Sequence, residues 1–274
     1  MEMSEQPETR RSQLPLAGVG VLVTRPAHQA DNLCALIEAA GGHAVRFPTL
    51  EITDPPDSAA ARAALSRLAD YDLAIFISAN AVDKAVALRV ATEWPALPPR
   101  VAVGAGTARA LERHGLPAAW APPPPYDSTA LLAVPALQQV AGQRIVIIRG
   151  VGGRELLGET LRARGAQVDY VEVYQRVRPR VETRDILKAW AAGAIDVVTA
   201  TSAEALYNLV VMMGAAGRAP LLAAPLVVVS ARMIQQALEL GFAQPPRVAE
   251  AASDEALVAA VIAWRRATTV GESE

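Results

Sequence analysis

Six points in the chain combine a short apolar run, a hydroxyl, glycine or arginine residue, and the start of a helical stretch. The first amides of a helix have no partner within that helix. Such amides, with a hydroxyl or arginine beside them, bind carboxylate or phosphate oxygens. We therefore predict anion-binding residues at Thr24, Arg25, Ser78, Ala79, Gly104, Thr107, Arg149, Ser202 and Ser230. Taken singly, each serine or threonine is explained more simply as an ordinary helix N-cap.

A glycine-rich segment follows Arg149 and extends the same chemistry. It contains Gly152, Gly153 and Arg154, which we add to the predicted anion-binding residues. Arginine binds carboxylates through two parallel hydrogen bonds and stays charged, so Arg25, Arg149 and Arg154 are candidate carboxylate ligands. A salt bridge on an exposed helix face is the alternative for Arg154.

The signatures of cofactor and metal enzymes are missing from the sequence. Gly104-Ala-Gly-Thr-Ala-Arg109 and Gly150-Val-Gly-Gly-Arg-Glu155 begin like dinucleotide fingerprints. Both place a large residue where the third small residue must pack a helix against a strand. The chain has no Gly-Lys-Ser/Thr loop, and its three histidines are isolated from one another. We predict neither a cofactor nor a metal site.

The elements that position these residues alternate in a regular way. Such alternation predicts an α/β fold, a parallel sheet with helices on both faces. Strand and helix segments follow one another at residues 19–24 and 27–40, 73–78 and 81–91, 100–104 and 107–114, 144–149 and 154–164, 194–199 and 203–213, and 226–230 and 233–240.

The two halves of the chain resemble each other at a nearly constant offset, which indicates an internal duplication. Corresponding residues are 124 apart at 22 and 146 and at 76 and 200. Two extended segments in matching places, 45–52 and 168–177, do not fit the alternation and predict strands that cross between lobes. We predict tails at 1–17 and 267–274, one lobe from 18–44 and 180–266, linker strands at 45–55 and 168–179, and a second lobe at 56–167.

Composition narrows the class of protein. The 274 residues include 26 basic and 28 acidic ones, a net charge of −2, so we expect no nucleic-acid partner. No apolar run is long enough to predict a membrane span, and the polar N-terminus lacks the pattern of a secretion signal. The single cysteine, Cys34, lies in an apolar run and is predicted to be buried. A cytoplasmic location fits these features.

The segment 170–177 contains the residue that we single out for chemistry. A period of two places Tyr170, Glu172, Tyr174 and Arg176 on one polar face of a strand. Tyr174 is therefore expected on the polar side of a crossing strand, where the alternative is a packing role at the junction between lobes.

Five segments, taken in order, resemble the uroporphyrinogen-III synthase family over about residues 18–266. They are Val21-Leu-Val-Thr-Arg-Pro26, Ile75-Phe-Ile-Ser-Ala-Asn-Ala-Val82, Val101-Ala-Val-Gly-Ala-Gly-Thr-Ala108, Ile147-Ile-Arg-Gly-Val-Gly-Gly-Arg-Glu-Leu156 and Val171-Glu-Val-Tyr-Gln-Arg176. The resemblance implies two flavodoxin-like lobes with parallel sheets, joined by a two-stranded β linker around a cleft. It also implies a cofactor-free, monomeric lyase with Tyr174 as its catalytic residue.

The reaction that the resemblance implies is the closure of hydroxymethylbilane to uroporphyrinogen III, with loss of water and inversion of the last pyrrole ring. A substrate with eight carboxylates suits strand ends rich in free amides and hydroxyls. Two other classes remain as alternatives: a two-lobed anion-binding or sensory module without catalysis, and a nucleotide-dependent α/β enzyme. Turnover distinguishes the first from a synthase, and nucleotide titration distinguishes the second.

Overall fold

The computed structural model describes residues 14–89, 98–122 and 128–271, which divide into two compact units. Unit 1 comprises the described residues of Met1–Glu51 and Val177–Glu274, and unit 2 those of Ile52–Arg176. The strands are β1 Gly20–Val23, β2 His43–Arg46, β3 Glu51–Thr53, β4 Leu73–Phe76, β5 Arg100–Ala102, β6 Arg144–Gly150, β7 Gln167–Val177, β8 Val197–Ala200, β9 Leu226–Val228 and β10 Arg247–Val248. The helices are α1 Asp31–Ala39, α2 Ser58–Leu65, α3 Ala79–Leu88, α4 Ala105–Arg113, α5 Ser128–Leu132, α6 Leu156–Ala163, α7 Arg184–Ala191, α8 Ala203–Ala223, α9 Arg232–Leu240 and α10 Asp254–Gly271.

Each unit contains one five-stranded sheet. In unit 1 the strand order is β10-β9-β8-β1-β2, and every neighbouring pair is parallel. In unit 2 the order is β3-β7-β6-β4-β5, with parallel pairing from β7 to β5. The 124-residue offset relates β1 to β6 and β8 to β4, and the neighbours correspond as well: β1 lies between β8 and β2, and β6 lies between β4 and β7. The predicted α/β class with parallel sheets is confirmed.

Both faces of each sheet are covered, which is why inner strands such as β1 and β4 are apolar without interruption. In unit 1, Leu22 belongs to one buried cluster, while Val21 and Val23 belong to the cluster on the opposite face. In unit 2, Phe76 and Ile75 divide between two clusters in the same way. The structure confirms that Cys34 is buried, and burial raises the pKa of its thiol.

The predicted crossing strand at 45–52 is not continuous. It is divided into β2, in the sheet of unit 1, and β3, in the sheet of unit 2. Proline lacks the amide hydrogen that a ladder needs, and Pro48 lies in the gap. Side chains hold the backbone here instead: the Thr49 hydroxyl is bonded to the carbonyls of Thr24 (3.2 Å) and Ala205 (3.0 Å), and Asn208 Nδ2 donates to the Thr49 carbonyl at 2.9 Å.

The described ends of the chain are more ordered than the predicted tails. Leu16 lies within the predicted N-terminal tail, yet it is fully buried in a core cluster of unit 1. Helix α10 continues to Gly271, beyond the predicted start of the C-terminal tail at 267. Residues 1–13 and 272–274 lie outside the described residues.

Within the described ranges, α8 is the helix long and apolar enough to span a membrane by length and composition. Its residues Leu206, Leu209 and Met213 pack in a core cluster of unit 1. Its backbone is also interrupted at Gly214, where φ is 56° and ψ is −162°. These features are those of a core helix with a break.

Candidate functional site

The carboxyl ends of the parallel strands in unit 2 bring several predicted residues to one sheet edge. Ser78 follows β4, Gly104 follows β5, and the segment containing Gly152 and Gly153 follows β6. These three strands are adjacent in the sheet, and β7 lies on the far side of β6. Tyr174 reaches the same edge because it pairs with Gly150, the last residue of β6.

The predicted position of Tyr174 on a polar strand face is wrong. A β-bulge interrupts the pairing of β6 with β7: Arg149 pairs with Glu172, and the next residue, Gly150, pairs with Tyr174. The extra residue, Val173, changes the alternation, as bulges do. Tyr174 therefore packs with Val173 in a core cluster of unit 2 and is only 1% exposed.

The Tyr174 hydroxyl lies between two polar side chains. Its oxygen is 3.2 Å from Ser78 Oγ, and the Arg176 guanidinium donates to it at 3.3 Å. Because arginine has donors only, the phenol oxygen must act as the acceptor toward Arg176. The proton of the phenol therefore remains available to Ser78 or to a ligand.

Two of the predicted serines, Ser78 and Ser202, are helix N-caps, and Ser230 lies one residue before Ala231, the N-cap of α9. Ser78 Oγ accepts a hydrogen bond from the Ala81 amide at 3.0 Å, and Ser202 Oγ accepts one from the Ala205 amide at 3.1 Å. Ser230 Oγ accepts one from the Arg232 amide at 3.3 Å. Each cap satisfies one amide, so the remaining amides of the first helical turn are the groups that could meet an anion.

Helix α4 begins at the second predicted strand end of unit 2. Gly104 is its N-cap and is extended, with φ at −176°. Thr107 lies in the first turn of α4 and is only 4% exposed, so the structure does not present its side chain at the surface. Ala79, the first residue of α3, is half-buried.

Two predicted anion ligands in unit 1 have other partners in the structure. Thr24 is fully buried, and its hydroxyl donates to the Thr199 carbonyl at 2.8 Å, so it links β1 to the end of β8 and is not open to a ligand. The Arg25 guanidinium is paired with the Asp254 carboxylate at the start of α10. Asp254 also accepts a bond from Asn32 Nδ2 at 2.9 Å.

Arg149 is the most constrained of the predicted arginines. Its side chain is 10% exposed, and its two terminal nitrogens pair with Glu155 at 2.8 Å and Glu172 at 3.2 Å. The guanidinium carbon lies 3.8 Å from the centre of the Tyr170 ring. The loop 151–154 that follows is exposed, and Gly152 and Gly153 have φ of +71° and +122°, a region that glycine adopts without strain.

Glu155 and Glu172 are the members of this cluster that the sequence did not reveal as partners of Arg149. They lie six and 23 residues from Arg149, and neither separation belongs to a sequence motif that indicates an ion pair. Glu172 is placed beside Arg149 by strand pairing, which the sequence could have suggested only with the register of β6 and β7 known.

Two ionisable groups in the cluster have shifted pKa values. The hydrogen bond from Arg149, and after it the nearby Tyr170 hydroxyl, holds the pKa of Glu155 below its ordinary 4.5. Burial, then the Glu155 carboxylate, raises the pKa of the Tyr170 phenol above 10. The Tyr170 hydroxyl is buried and makes no hydrogen bond of standard geometry, so we attribute its interaction with Glu155 to proximity.

The lowered pKa predicts how stability depends on pH. Because Glu155 is harder to protonate in the folded state, its pairing with Arg149 stabilises the fold above the ordinary pKa and is lost as the pH falls through the folded value. We expect Glu155→Gln to lower the urea midpoint by a constant amount from about pH 8 to about pH 5, with the difference closing in more acidic buffer. A difference that grows on acidification would contradict this assignment.

Two surface pockets are formed by residues other than the predicted ones. One of about 650 Å³ in unit 1 lies against Pro179, Glu182 and Arg184 at the start of α7. Another, of about 300 Å³ in unit 2, borders Tyr170 and carries the carboxylates of Asp57 and Glu172. Two acids make the second pocket unsuitable for a carboxylate. The residues described include no cluster of three or more His, Cys, Asp or Glu side chains suited to a metal.

The fold and the strand ends together define a two-unit α/β protein. Helix starts, glycines and arginines lie at the carboxyl edges of its parallel sheets, where ligands bind in open α/β folds. In unit 2 that edge also carries a hydroxyl pair, Ser78 and Tyr174. This arrangement is typical of proteins that bind an anionic small molecule.

Comparison with known proteins identifies the family. Residues 31–259 match the family model of uroporphyrinogen-III synthase HemD. The uroporphyrinogen-III synthase of Escherichia coli K12 is 35% identical over 246 residues, covering 89% of this chain and all of that protein. The Salmonella typhimurium enzyme is 36% identical over 250 residues, with the same coverage. The chain belongs to the uroporphyrinogen-III synthase family.

Solved structures agree on the fold. A mutant uroporphyrinogen III synthase from the extremely thermophilic bacterium Thermus thermophilus superposes with a TM-score of 0.59 at 21% identity, covering 92% of this chain and 99% of that one. The uroporphyrinogen-III synthetase of Helicobacter pylori 26695 gives a TM-score of 0.58 at 13% identity, covering 90% and 99%. At these identities the likeness concerns the fold alone.

Proposed function

We propose that this chain is a uroporphyrinogen-III synthase, a lyase that closes hydroxymethylbilane into uroporphyrinogen III. The observation that carries the proposal is the match to the Escherichia coli synthase over 89% of the chain, together with a paired Ser78 and Tyr174 at the sheet edge of unit 2. The reaction loses one water and inverts the last ring without net oxidation or reduction. It therefore requires no redox cofactor, and we propose that a monomer acts without one.

The finer architecture is part of the same proposal. We assign unit 1 and unit 2 to two flavodoxin-like lobes, because the strand order β2-β1-β8-β9-β10 is the 2-1-3-4-5 order of flavodoxin-like sheets. Within segments 45–55 and 168–179, we assign β3 and β7 as the two strands of the linker. The position of β3 beside β7 in one sheet supports this assignment.

We assign substrate binding to the free backbone amides of the helix starts and the loop that follow the strands. In unit 2, the helix starts after Ser78 and Gly104 and the amide of Gly153 in the 151–154 loop offer donors to acetate and propionate groups. Arg154 adds a positive charge on the exposed loop. In unit 1, Ser202 caps one helix and Ser230 lies just before another, and the first turns of both offer the same donors. The charge of Arg25 at that sheet edge is balanced by Asp254, so we assign binding there to the helix amides.

Catalysis begins with departure of the terminal hydroxyl. The carbon–oxygen bond breaks, the oxygen takes up a proton to leave as water, and the remaining pyrrole carries the positive charge. We assign Tyr174 to supply or share that proton, and the hydrogen bond from Arg176 supports this role because it uses an acceptor site of the phenol oxygen and leaves the phenol proton to be donated. The remaining acceleration comes from holding the flexible chain in a geometry that closes.

The product distribution tests this function directly. We expect purified protein, supplied with freshly made hydroxymethylbilane, to yield mainly the type III macrocycle, as resolved by chromatography after oxidation. The same mixture without protein gives the type I ring by spontaneous closure and serves as the control. Only type I product in the presence of folded protein would contradict the proposal and favour a two-lobed binding or sensory module.

A further inference from the structure

Arg149 is surrounded by acidic and aromatic groups that leave little of it open to solvent. Its terminal nitrogens contact Glu155 Oε1 and Glu172 Oε1, and its planar face lies on the Tyr170 ring. The Arg162 guanidinium lies 5.1 Å from the centre of the same ring, so two guanidinium groups balance the two carboxylates. Both terminal nitrogens of Arg149 are already paired, so a substrate carboxylate could bind Arg149 only by displacing Glu155 or Glu172.

The same carboxylates are connected to the glycine-rich loop that follows β6. Glu172 Oε1 also accepts the Gly152 amide at 3.3 Å, and Glu155 lies at the other end of the loop, directly before α6. The Val151 amide donates to the Tyr174 carbonyl at 2.7 Å. Arg149 is thus paired with two acids, Glu172 near the start of the 151–154 loop and Glu155 at its end. The same loop is bonded to the backbone of Tyr174 through Val151.

We propose that Arg149 is a positioning residue that holds the 151–154 loop in its binding conformation and does not itself bind substrate. The inference rests on the proposed function and gives Arg149 a different role from the one its sequence context predicts. Glu172 and Glu155 act with it as anchors of the loop. Substrate carboxylates then meet the loop through the Gly153 amide and Arg154, because both residues are exposed and the Val151 and Gly152 amides already have protein acceptors.

Glu172→Gln separates positioning from direct binding, because the two roles predict opposite changes in KM. If Arg149 binds substrate, removing a competing negative charge should lower KM. If Arg149 positions the loop, the loss of its partner should raise KM about 10-fold, with kcat changed by less than about twofold. Glu155→Gln should act in the same direction and provides a second test if the first variant folds poorly.

The matched control is Glu159→Gln, which makes the same change on an exposed residue of α6, one turn beyond Glu155. Its KM should equal that of the unmodified protein. Arg149→Lys keeps the charge but not the paired geometry, so we expect it to raise KM as Glu172→Gln does. A KM that falls in Glu172→Gln, or that is preserved in Arg149→Lys, would overturn the positioning role.

A measurement without substrate keeps this inference distinct from the proposed function. Hydrogen–deuterium exchange of the peptide containing 150–155 should be faster in Glu172→Gln than in the unmodified protein and unchanged in Glu159→Gln. If the unmodified protein makes no type III product, the function fails whatever the loop does. If it makes type III product but loop exchange is the same in all three proteins, the positioning role fails alone.

Discussion

Tyr174→Phe is expected to reduce the rate of type III formation by about 10- to 100-fold while leaving the fold intact. The substitution removes only the hydroxyl, which contacts Ser78 Oγ at 3.2 Å and Arg176 at 3.3 Å. The ring, which is buried in the core of unit 2, remains. We expect a smaller loss of rate than the largest seen when a proton donor is removed, because much of the acceleration comes from positioning the substrate.

The measurement is kcat in the assay with freshly made hydroxymethylbilane, accompanied by the ratio of type III to type I product. Tyr207→Phe is the matched control, since Tyr207 is 53% exposed on α8 and should tolerate the change without effect. A slower enzymatic closure leaves more substrate for spontaneous cyclisation, so the fraction of type I should rise in Tyr174→Phe. Unchanged turnover and product ratio would show that the tyrosine only packs.

Gly150→Ala is expected to destabilise the protein by about 1–3 kcal/mol through overpacking and to slow type III formation as well. A Cβ at this position would lie 2.6 Å from Cζ and 2.7 Å from Cε2 of Tyr174. The ring is 1% exposed, so it cannot move aside without disturbing its neighbours in the core. Removing the clash requires a shift of β7 or of the ring, and either shift would displace the hydroxyl from Ser78. Urea unfolding measures the first effect and kcat the second.

Gly106→Ala is the matched control, because a Cβ there meets nothing within 4 Å. It lies within α4, where alanine is favoured over glycine by up to about 1 kcal/mol, so we expect equal or greater stability. A second comparison uses Tyr174→Leu: adding Gly150→Ala should cost much less in that background, since the ring is absent. Equal costs in both backgrounds would rule out a clash with the ring.

The sequence by itself was sufficient for the α/β class and for the strands and helices around the site. Uninterrupted apolar runs such as Val21 to Val23 predict strands covered on both faces, and glycine or serine at their ends predicts the helix starts. The N-cap roles of Ser78 and Ser202 were also predictable, because capping depends on contacts within one helical turn. All of these features arise from interactions between residues close in the chain.

The tertiary structure decided which of these residues have their polar groups available. Thr24 and Arg25 look alike in sequence as ligand candidates, but Thr199 and Asp254, more than 170 residues away, occupy their polar groups. The position of Tyr174 depended on one extra residue in β7, which a period of two does not reveal. Arg149 acquires its carboxylate partners through the pairing of β6 with β7 and the path of the loop. Such contacts join residues distant in sequence, and the register, bulges and packing that create them are properties of the folded chain.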